Sequence, residues 1–358
     1  MHAFYAENKM TLLSFFLMPV LLLASCLYAF FLFLIKLFYH LNIFKSYRPK
    51  AIVVSVGNIT MGGSGKTPLV AYLADYLSDR HKVVILLRGY KKPKTFKSLG
   101  SDGYYSSGDE AGMLIQNLGQ RCKVVADKNR LRCVQVLEDQ GFCGTFILDD
   151  GFQHWRLKRD FDLVVVDAAN PFGNRMLLPA GPLRETLSAL KRADCICLCR
   201  CNEIPSERLH DLCRLLSEKA PGTLIIKAIH ESRRIWSLET REVFELDIVG
   251  NKRVGLFCGI ANPHSFVKSA ERLGASVVMK RFFPDHHEYS EVDMACLIKQ
   301  CKDLNVSVLM TTEKDAQRLS GFFSKTQADV KIFVLKIAIT IIEGQEALHE
   351  RLDTLYHA

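Results

Sequence analysis

Residues Ala51-Ile52-Val53-Val54-Ser55-Val56-Gly57-Asn58-Ile59-Thr60-Met61-Gly62-Gly63-Ser64-Gly65-Lys66-Thr67-Pro68 decide the fold class. A short apolar run, Ala51 to Val56, enters a glycine-rich turn, and helical periodicity begins immediately after it. Strand, glycine loop and helix stand in the order of a phosphate-binding loop. Glycines at 62, 63 and 65, with Ser64 between them, let backbone N–H groups close around phosphates, and the following helix adds its positive end. Lys66 is placed to reach the outer phosphates and Thr67 to offer its hydroxyl to Mg²⁺.

The strict spacing G-x-x-x-x-G-K-[ST] asks for glycine at position 60, where this chain has Thr60. The run from Gly62 to Thr67 instead resembles the GGxGK[ST] core of the deviant P-loop ATPases. Such a loop needs a carboxylate at the end of a nearby strand to hold its metal. Phe146 to Leu148 followed by Asp149-Asp150, and Leu163 to Val166 followed by Asp167, are both apolar strands ending in aspartate. The first leads into Gly151-Phe152-Gln153-His154, a tight turn with further polar groups, so Asp149 and Asp150 take the metal role. Asp167 reads equally well as a strand-end cap. Gly108-Asp109-Glu110 follows a Gly/Ser/Tyr-rich stretch and reads as a loop that presents carboxylates. Taken alone, it and Asp285-His286-His287 fit solvated surface as well as a site.

Outward from the loop, short apolar runs alternate with amphipathic stretches, the pattern of α/β units on a parallel sheet. Strands are expected at Val83 to Leu87 and Leu224 to Ile226 as well, with helices at Pro68 to Leu77, Arg130 to Asp139 and Pro205 to Ser217. The stretch from Ser232 to Leu246 breaks into short alternating pieces and reads as a hairpin linker. A second α/β series follows, with strands near 254–257, 276–279, 306–310 and 332–335 and a closing helix at 344–356. The expected architecture is an α/β P-loop sandwich domain (46–231), a β-hairpin linker (232–250) and a smaller α/β domain (251–358), behind an N-terminal membrane helix (1–45). A cleft between the two lobes is the expected site.

Leu12 to Ile35 carries no charge and is long enough to span a bilayer, which needs about 20 apolar residues. Lys36, Lys45, Arg48 and Lys50 follow, which places the remainder in the cytoplasm by the positive-inside rule. An interfacial helix is the alternative, with Pro19 as a kink and Tyr28, Tyr39 and Tyr47 as anchors. The 358 residues hold 47 Lys+Arg against 38 Asp+Glu, a formal net charge of +9, which favours anionic partners. No long Lys/Arg block or aromatic-basic interleaving points to nucleic acid, and nothing demands an obligate protein partner. The 12 cysteines include Cys195, Cys197, Cys199 and Cys201 in alternation. On a strand these share one face about 6.6 Å apart, too spread for a tetrahedral zinc, and read as small buried hydrophobes.

Taken together, Val56 to Thr60 with the glycine loop, Arg88-Gly89-Tyr90, Gly108-Asp109-Glu110, Asp149 to His154, Leu178-Pro179-Ala180-Gly181-Pro182-Leu183-Arg184-Glu185, Asp285-His286 and Thr312-Glu313-Lys314-Asp315 closely resemble the tetraacyldisaccharide 4'-kinase family of lipid A synthesis. Thr60 is that family's habit too. Ala111 and Lys91 depart from it, where proline and glycine are usual, and neither is a proposed site group. The resemblance implies transfer of the ATP γ-phosphoryl group, with Mg²⁺, to the 4'-hydroxyl of a tetraacyl glucosamine disaccharide 1-phosphate. The implied setting is the cytoplasmic face of the bacterial inner membrane, among anionic lipids. Carried onto matching positions, it makes Asp109 the base and His286, rather than His287, its partner. Asp149, Asp150 and Glu185 become metal-side carboxylates, while Gln153, Arg130 and Arg184 lie near nucleotide or substrate phosphate. A membrane-attached P-loop ATPase of switch or partitioning type is the alternative.

Overall fold

The computed structural model describes residues 12–63, 65–89, 108–319 and 330–357, with side chains from residue 17 onward. Ser64 and Tyr90 lie outside the described residues. In chain order the first half contains α1 (Leu12–His40), β1 (Ile52–Gly57), α2 (Lys66–Ser78), β2 (Val83–Leu87), α3 (Asp109–Leu118), β3 (Cys122–Ala126), α4 (Arg130–Asp139), β4 (Thr145–Asp149), β5 (Phe161–Asp167), β6 (Cys195–Cys199) and α5 (Ser206–Lys219). The second half contains β7 (Leu224–Ser237), β8 (Val243–Phe244), β9 (Arg253–Cys258), α6 (Pro263–Arg272), β10 (Ser276–Phe282), α7 (Glu291–Asp303), β11 (Val308–Thr312), α8 (Glu313–Leu319), β12 (Lys331–Glu343) and α9 (Gln345–Thr354).

Among the described residues the strands form one sheet in the order β10-β9-β11-β12-β7-β6-β5-β1-β4-β2-β3, with β8 on the edge of β7. Both flanks are parallel. The seam is the antiparallel pair β7–β12, which runs from Phe333 opposite Ser237 to Glu343 opposite Lys227. The inner parallel strands are buried on both faces and read as continuous apolar runs, as in β2, whose five residues are all buried. Strands β7 and β12 break that pattern because they leave polar residues half-exposed, Lys227, His230 and Arg233 among them. Both are therefore far longer than the four apolar residues or fewer that the sequence reveals, and β7 runs well into the expected linker before turning back at β8.

Helices α2, α3 and α9 cover one face of the P-loop half around Leu69, Leu73, Ile147 and Leu352, while α4 packs Val134 and Leu137 on the other. Cys195, Cys197 and Cys199 point into the first of these cores, with Cys197 and Cys199 sulfurs 3.7 Å apart. They are packing groups, and among the described residues no cluster of three His, Cys, Asp or Glu side chains forms a metal cage.

Helix α1 continues through Pro19 and docks on the P-loop half. Ser25 Oγ donates to the Leu177 carbonyl at 3.0 Å and accepts from Ala180 N–H at 3.0 Å, and Tyr28 donates to the Arg184 carbonyl at 2.8 Å. Ser25 and Lys36, eleven residues and about three turns apart, share that docked face. Val20, Leu23, Leu27, Phe30, Phe31 and Phe33 stay exposed, an apolar surface without a protein partner among the described residues.

The end of β1 touches the turn after β4 so closely that a methyl group on Gly57 would lie 2.5 Å from Phe152 Cβ and 2.7 Å from Phe152 N. Gly57→Ala is expected to destabilise the fold by roughly 1–3 kcal/mol through overpacking. Its urea midpoint should fall at unchanged slope; a midpoint equal to the parent's would show that the turn can yield.

Candidate active site

Strand β1 lies between β4 and β5, all parallel, with Val56 opposite Asp149. The carboxyl end of β4 is thereby beside the start of the glycine loop. Gly62 and Gly65 adopt φ of +114° and +82°, conformations that L side chains rarely take. Thr60 pairs instead with Leu183 in an antiparallel bridge, so its backbone needs no glycine. The segment 177–185 braces the loop further, since Met61 N–H donates to the Pro182 carbonyl and Arg184 N–H to the Ile59 carbonyl, both at 2.7 Å.

Asp149 and Asp150 play unlike parts. The Arg130 guanidinium donates to the Asp149 carbonyl at 2.6 Å and to the Asp150 carbonyl at 3.4 Å, fixing the backbone between them. Asp150 turns into the left-handed region at φ +53°. Both of its carboxylate oxygens accept from Arg184 Nη1 at 2.8 Å, and Oδ1 is 3.5 Å from Lys66 Nζ. Burial works to raise its pKa, but Lys66 and Arg184 hold it below the ordinary carboxylate value. Asp149 is buried, with Oδ1 lacking any hydrogen-bond partner. Burial, together with the charges of Glu110 and Asp150, pushes it up to about 7 against the pull of Lys66 and Lys314. A buried carboxylate oxygen without a hydrogen-bond partner, in a cleft that Thr67 of the first turn of α2 also lines, is the donor set a hard divalent cation completes. Thr67 and Asp149 thus fit Mg²⁺, whereas Asp150 is already committed to Lys66 and Arg184.

The facing wall comes from α3 and the second half. Asp109 is the first residue of α3 and not part of a loop as its neighbours suggested. Its Oδ2 accepts from His286 Nδ1–H at 3.0 Å and from Arg318 Nε at 2.9 Å, with Arg318 Nη2 also in contact. Arg318 is held in turn by the Gly259 carbonyl at 3.0 Å and by Asp315 at 3.1 Å. Asp315 is fully buried and accepts from Gly259 N–H, Tyr289 and Thr312. Burial alone would raise Asp109, yet the hydrogen bonds from His286 and Arg318 keep it well below the usual carboxylate range. The same bond raises His286 above 6.5. His287 points elsewhere, donating to Asp293 at 3.2 Å and stacking on Phe283. Between the walls lies a cleft of about 430 Å³ lined by Lys66, Thr67, Asp149, Glu110, His286 and Lys314 among others.

The sequence profile described as tetraacyldisaccharide-1-P 4'-kinase matches residues 17–357. The chain belongs to that family. It is 35% identical over 341 residues to the tetraacyldisaccharide 4'-kinase of Halothermothrix orenii, covering 90% of this chain and 88% of the relative. It is 34% identical over 322 residues to that of Anaeromyxobacter sp. strain K, covering 88% and 84%. The crystal structure of LpxK from Aquifex aeolicus, an "apo" form in complex with ATP, superposes with a TM-score of 0.71 at 29% identity, over 94% of this chain and 99% of that one. The α/β architecture with its P-loop is the one this family shares.

Not every expected site residue reaches the cleft. Glu185, expected on the metal side, is fully buried away from the cleft lining. It pairs with Lys36 at 2.7 Å and Arg192 at 2.9 Å and accepts from Gln153 Nε2 at 3.0 Å. Three partners leave it no oxygen for an ion. Gln153 spans between Glu185, the Asn58 carbonyl at 2.9 Å and Arg184, so it braces the loop from behind. Asp167, at the end of β5, is ion-paired with the buried Arg200. Lys314, which pairs with Glu110, and Arg318 were not foreseen. The Thr312–Asp315 string was the available signal for Lys314, and nothing in the sequence marks Arg318.

His154, in the turn after Asp150, is half-buried near Arg130, Arg159 and Arg156, and its burial first, then those charges, lower its pKa to about 3. The unfolded chain takes up a proton below about 6.5 while the folded protein refuses it down to about 3, so stability is lost as pH falls through that window. His154→Asn is expected to remove roughly 2 kcal/mol of the stability loss between pH 7 and pH 4.5. Urea midpoints at the two pH values measure it, and parallel losses in parent and variant would reject the assignment.

Proposed function

We propose that this chain transfers the γ-phosphoryl group of ATP to the 4'-hydroxyl of a tetraacyl glucosamine disaccharide 1-phosphate, a step of lipid A synthesis. The supporting observation is His286, which lines the same cleft as Lys66, Thr67 and Asp149 and is bonded through Nδ1 to Asp109, itself held by Arg318. Phosphoryl transfer depends chiefly on positioning and on charges that offset those developing on the phosphate. The loop amides and Lys66 seat the triphosphate, with Asp150 and Arg184 holding the Lys66 ammonium in place. Thr67 and Asp149 would hold Mg²⁺, whose chemistry is neutralisation of phosphate charge.

Acceptor deprotonation belongs to the Asp109–His286 pair. Asp109, acidified by Arg318, is too weak a base to keep a proton. It orients the ring through Nδ1 and stabilises the imidazolium, while His286, which lines the cleft, receives the hydroxyl proton at Nε2. Residues 46–231 form the kinase domain in this reading and 251–358 the domain that delivers His286 and Arg318. The exposed apolar side of α1, continued by Leu41, Ile43 and Phe44, is the surface that enters an anionic bilayer from the cytoplasmic side. It brings the cleft to a lipid that does not leave the membrane readily.

Purified protein given γ-labelled ATP and the tetraacyl disaccharide 1-phosphate is expected to move label to lipid. Lipid-independent ADP formation without labelled lipid would favour a switch-type ATPase instead. Asp109→Asn and His286→Ala should each lower kcat by about 10²-fold or more with ATP affinity little changed. In the parent, kcat should rise with pH through a limb lying above 6.5, because the imidazole must be neutral to accept the proton. A His286→Ala enzyme that retained this limb would place the base elsewhere.

A further inference from the structure

We propose that Lys36, on the apolar helix α1, is a positioning residue for the phosphate loop, so that docking of the membrane helix organises catalysis as well as attaching the enzyme. The proposal rests on the roles given above to Lys66 and Asp150.

A lysine flanking an apolar helix ordinarily extends its ammonium toward water and lipid headgroups. Lys36 does the reverse. Its Nζ is 2.7 Å from Glu185 Oε2, a carboxylate with no exposed surface. From there a continuous path leads to the loop. Glu185 Oε1 accepts from Gln153 Nε2 at 3.0 Å, Gln153 Oε1 is 3.5 Å from Arg184 Nη1, that nitrogen donates to Asp150 at 2.8 Å, and Asp150 lies 3.5 Å from Lys66 Nζ. A second path runs along the backbone. Tyr28, one face away on the same helix, donates to the Arg184 carbonyl, and Arg184 N–H donates to the Ile59 carbonyl at the entrance of the loop. Arg184 is therefore held by α1 through its carbonyl, by the loop through its amide, and by Asp150 through its side chain. Burial works against the charge on Glu185, and the partners that keep it ionised are Arg192 and Lys36. Removing Lys36 leaves that charge to Arg192 alone, which donates to both oxygens at 2.9 and 3.1 Å, and draws Glu185 toward Arg192 and away from Gln153, loosening the hold of Gln153 on Arg184. An anchor that served only to bind lipid would have no need of an ion pair to a buried carboxylate in the segment bracing the loop.

Spatial continuity alone does not establish coupling, so the test is a double-mutant cycle on the full chain. Lys36→Met, Lys36→Arg, Glu185→Gln and the Lys36→Met/Glu185→Gln pair are assayed in mixed micelles of nonionic detergent and tetraacyl disaccharide 1-phosphate. Kinetics are followed against ATP, and membrane attachment by sedimentation with phosphatidylcholine–phosphatidylglycerol vesicles. Lys36→Met is expected to lower kcat/KM for ATP by about tenfold at unchanged sedimentation, Lys36→Arg to recover most of it, and the loss to vanish in the Glu185→Gln background. If Lys36→Met also lowers the melting temperature, Tyr28→Phe, which loses a single hydroxyl, should still lower kcat/KM in the same direction. The proposal is overturned by parental kinetics in Lys36→Met, by an equal loss in both Glu185 backgrounds, or by a loss matched by reduced sedimentation. Asp150→Asn is a separate arm: full activity there would overturn the reading of the site itself, whatever Lys36 does.

Discussion

The molecule is organised by one register, the parallel pairing that sets Val56 of β1 opposite Asp149 of β4. It brings the carboxyl end of one apolar strand beside a glycine loop and forces two consecutive aspartates to share a narrow space. Two charges in that space are not tolerated equally. Asp150 escapes through a left-handed turn to Lys66 and Arg184, and Asp149 stays buried with an open oxygen. The difference between a carboxylate that steadies the lysine and one left with an unpaired oxygen follows from backbone geometry, since the two residues are chemically the same.

The second wall depends on the antiparallel ribbon of β7 and β12, which makes two parallel sheets into one. Through it, α8 is carried against α3, and Arg318 and Lys314 meet Asp109 and Glu110. Each of these contacts joins the halves by an ion pair, and Glu110 and Lys314 line the cleft. The apolar helix is joined to the first wall in the same manner, by hydrogen bonds and one ion pair to a buried carboxylate on its protein side, while its other side is apolar and exposed.

Much of this was legible in the sequence. The helix Arg130–Asp139 and the strand Val83–Leu87 have the expected bounds, because parallel strands buried on both faces and amphipathic helices write their periodicity plainly. The phosphate loop and Asp149-Asp150 declared themselves by spacing. Strands β7 and β12 did not, since an antiparallel pair half open to water scatters Lys227, His230 and Arg233 through its apolar run. The helical start at Asp109 was obscured by the glycine before it. Glu185 was misplaced for a different reason: the family resemblance carried it to the metal side, and only folding shows that a lysine from the first helix claims it. Arg318 acts through contacts with Asp109, Gly259 and Asp315 from three separate segments, and no local pattern announces such a convergence.

The most direct test of the central claim is the binding of Mn²⁺, as a paramagnetic substitute for Mg²⁺, to the full chain in the presence of a non-hydrolysable ATP analogue, followed by electron paramagnetic resonance. Asp149→Asn is predicted to weaken the bound-ion signal by about tenfold in affinity. Ion binding of parental strength in Asp149→Asn would contradict the assignment of the open oxygen at the end of β4 as the metal's place.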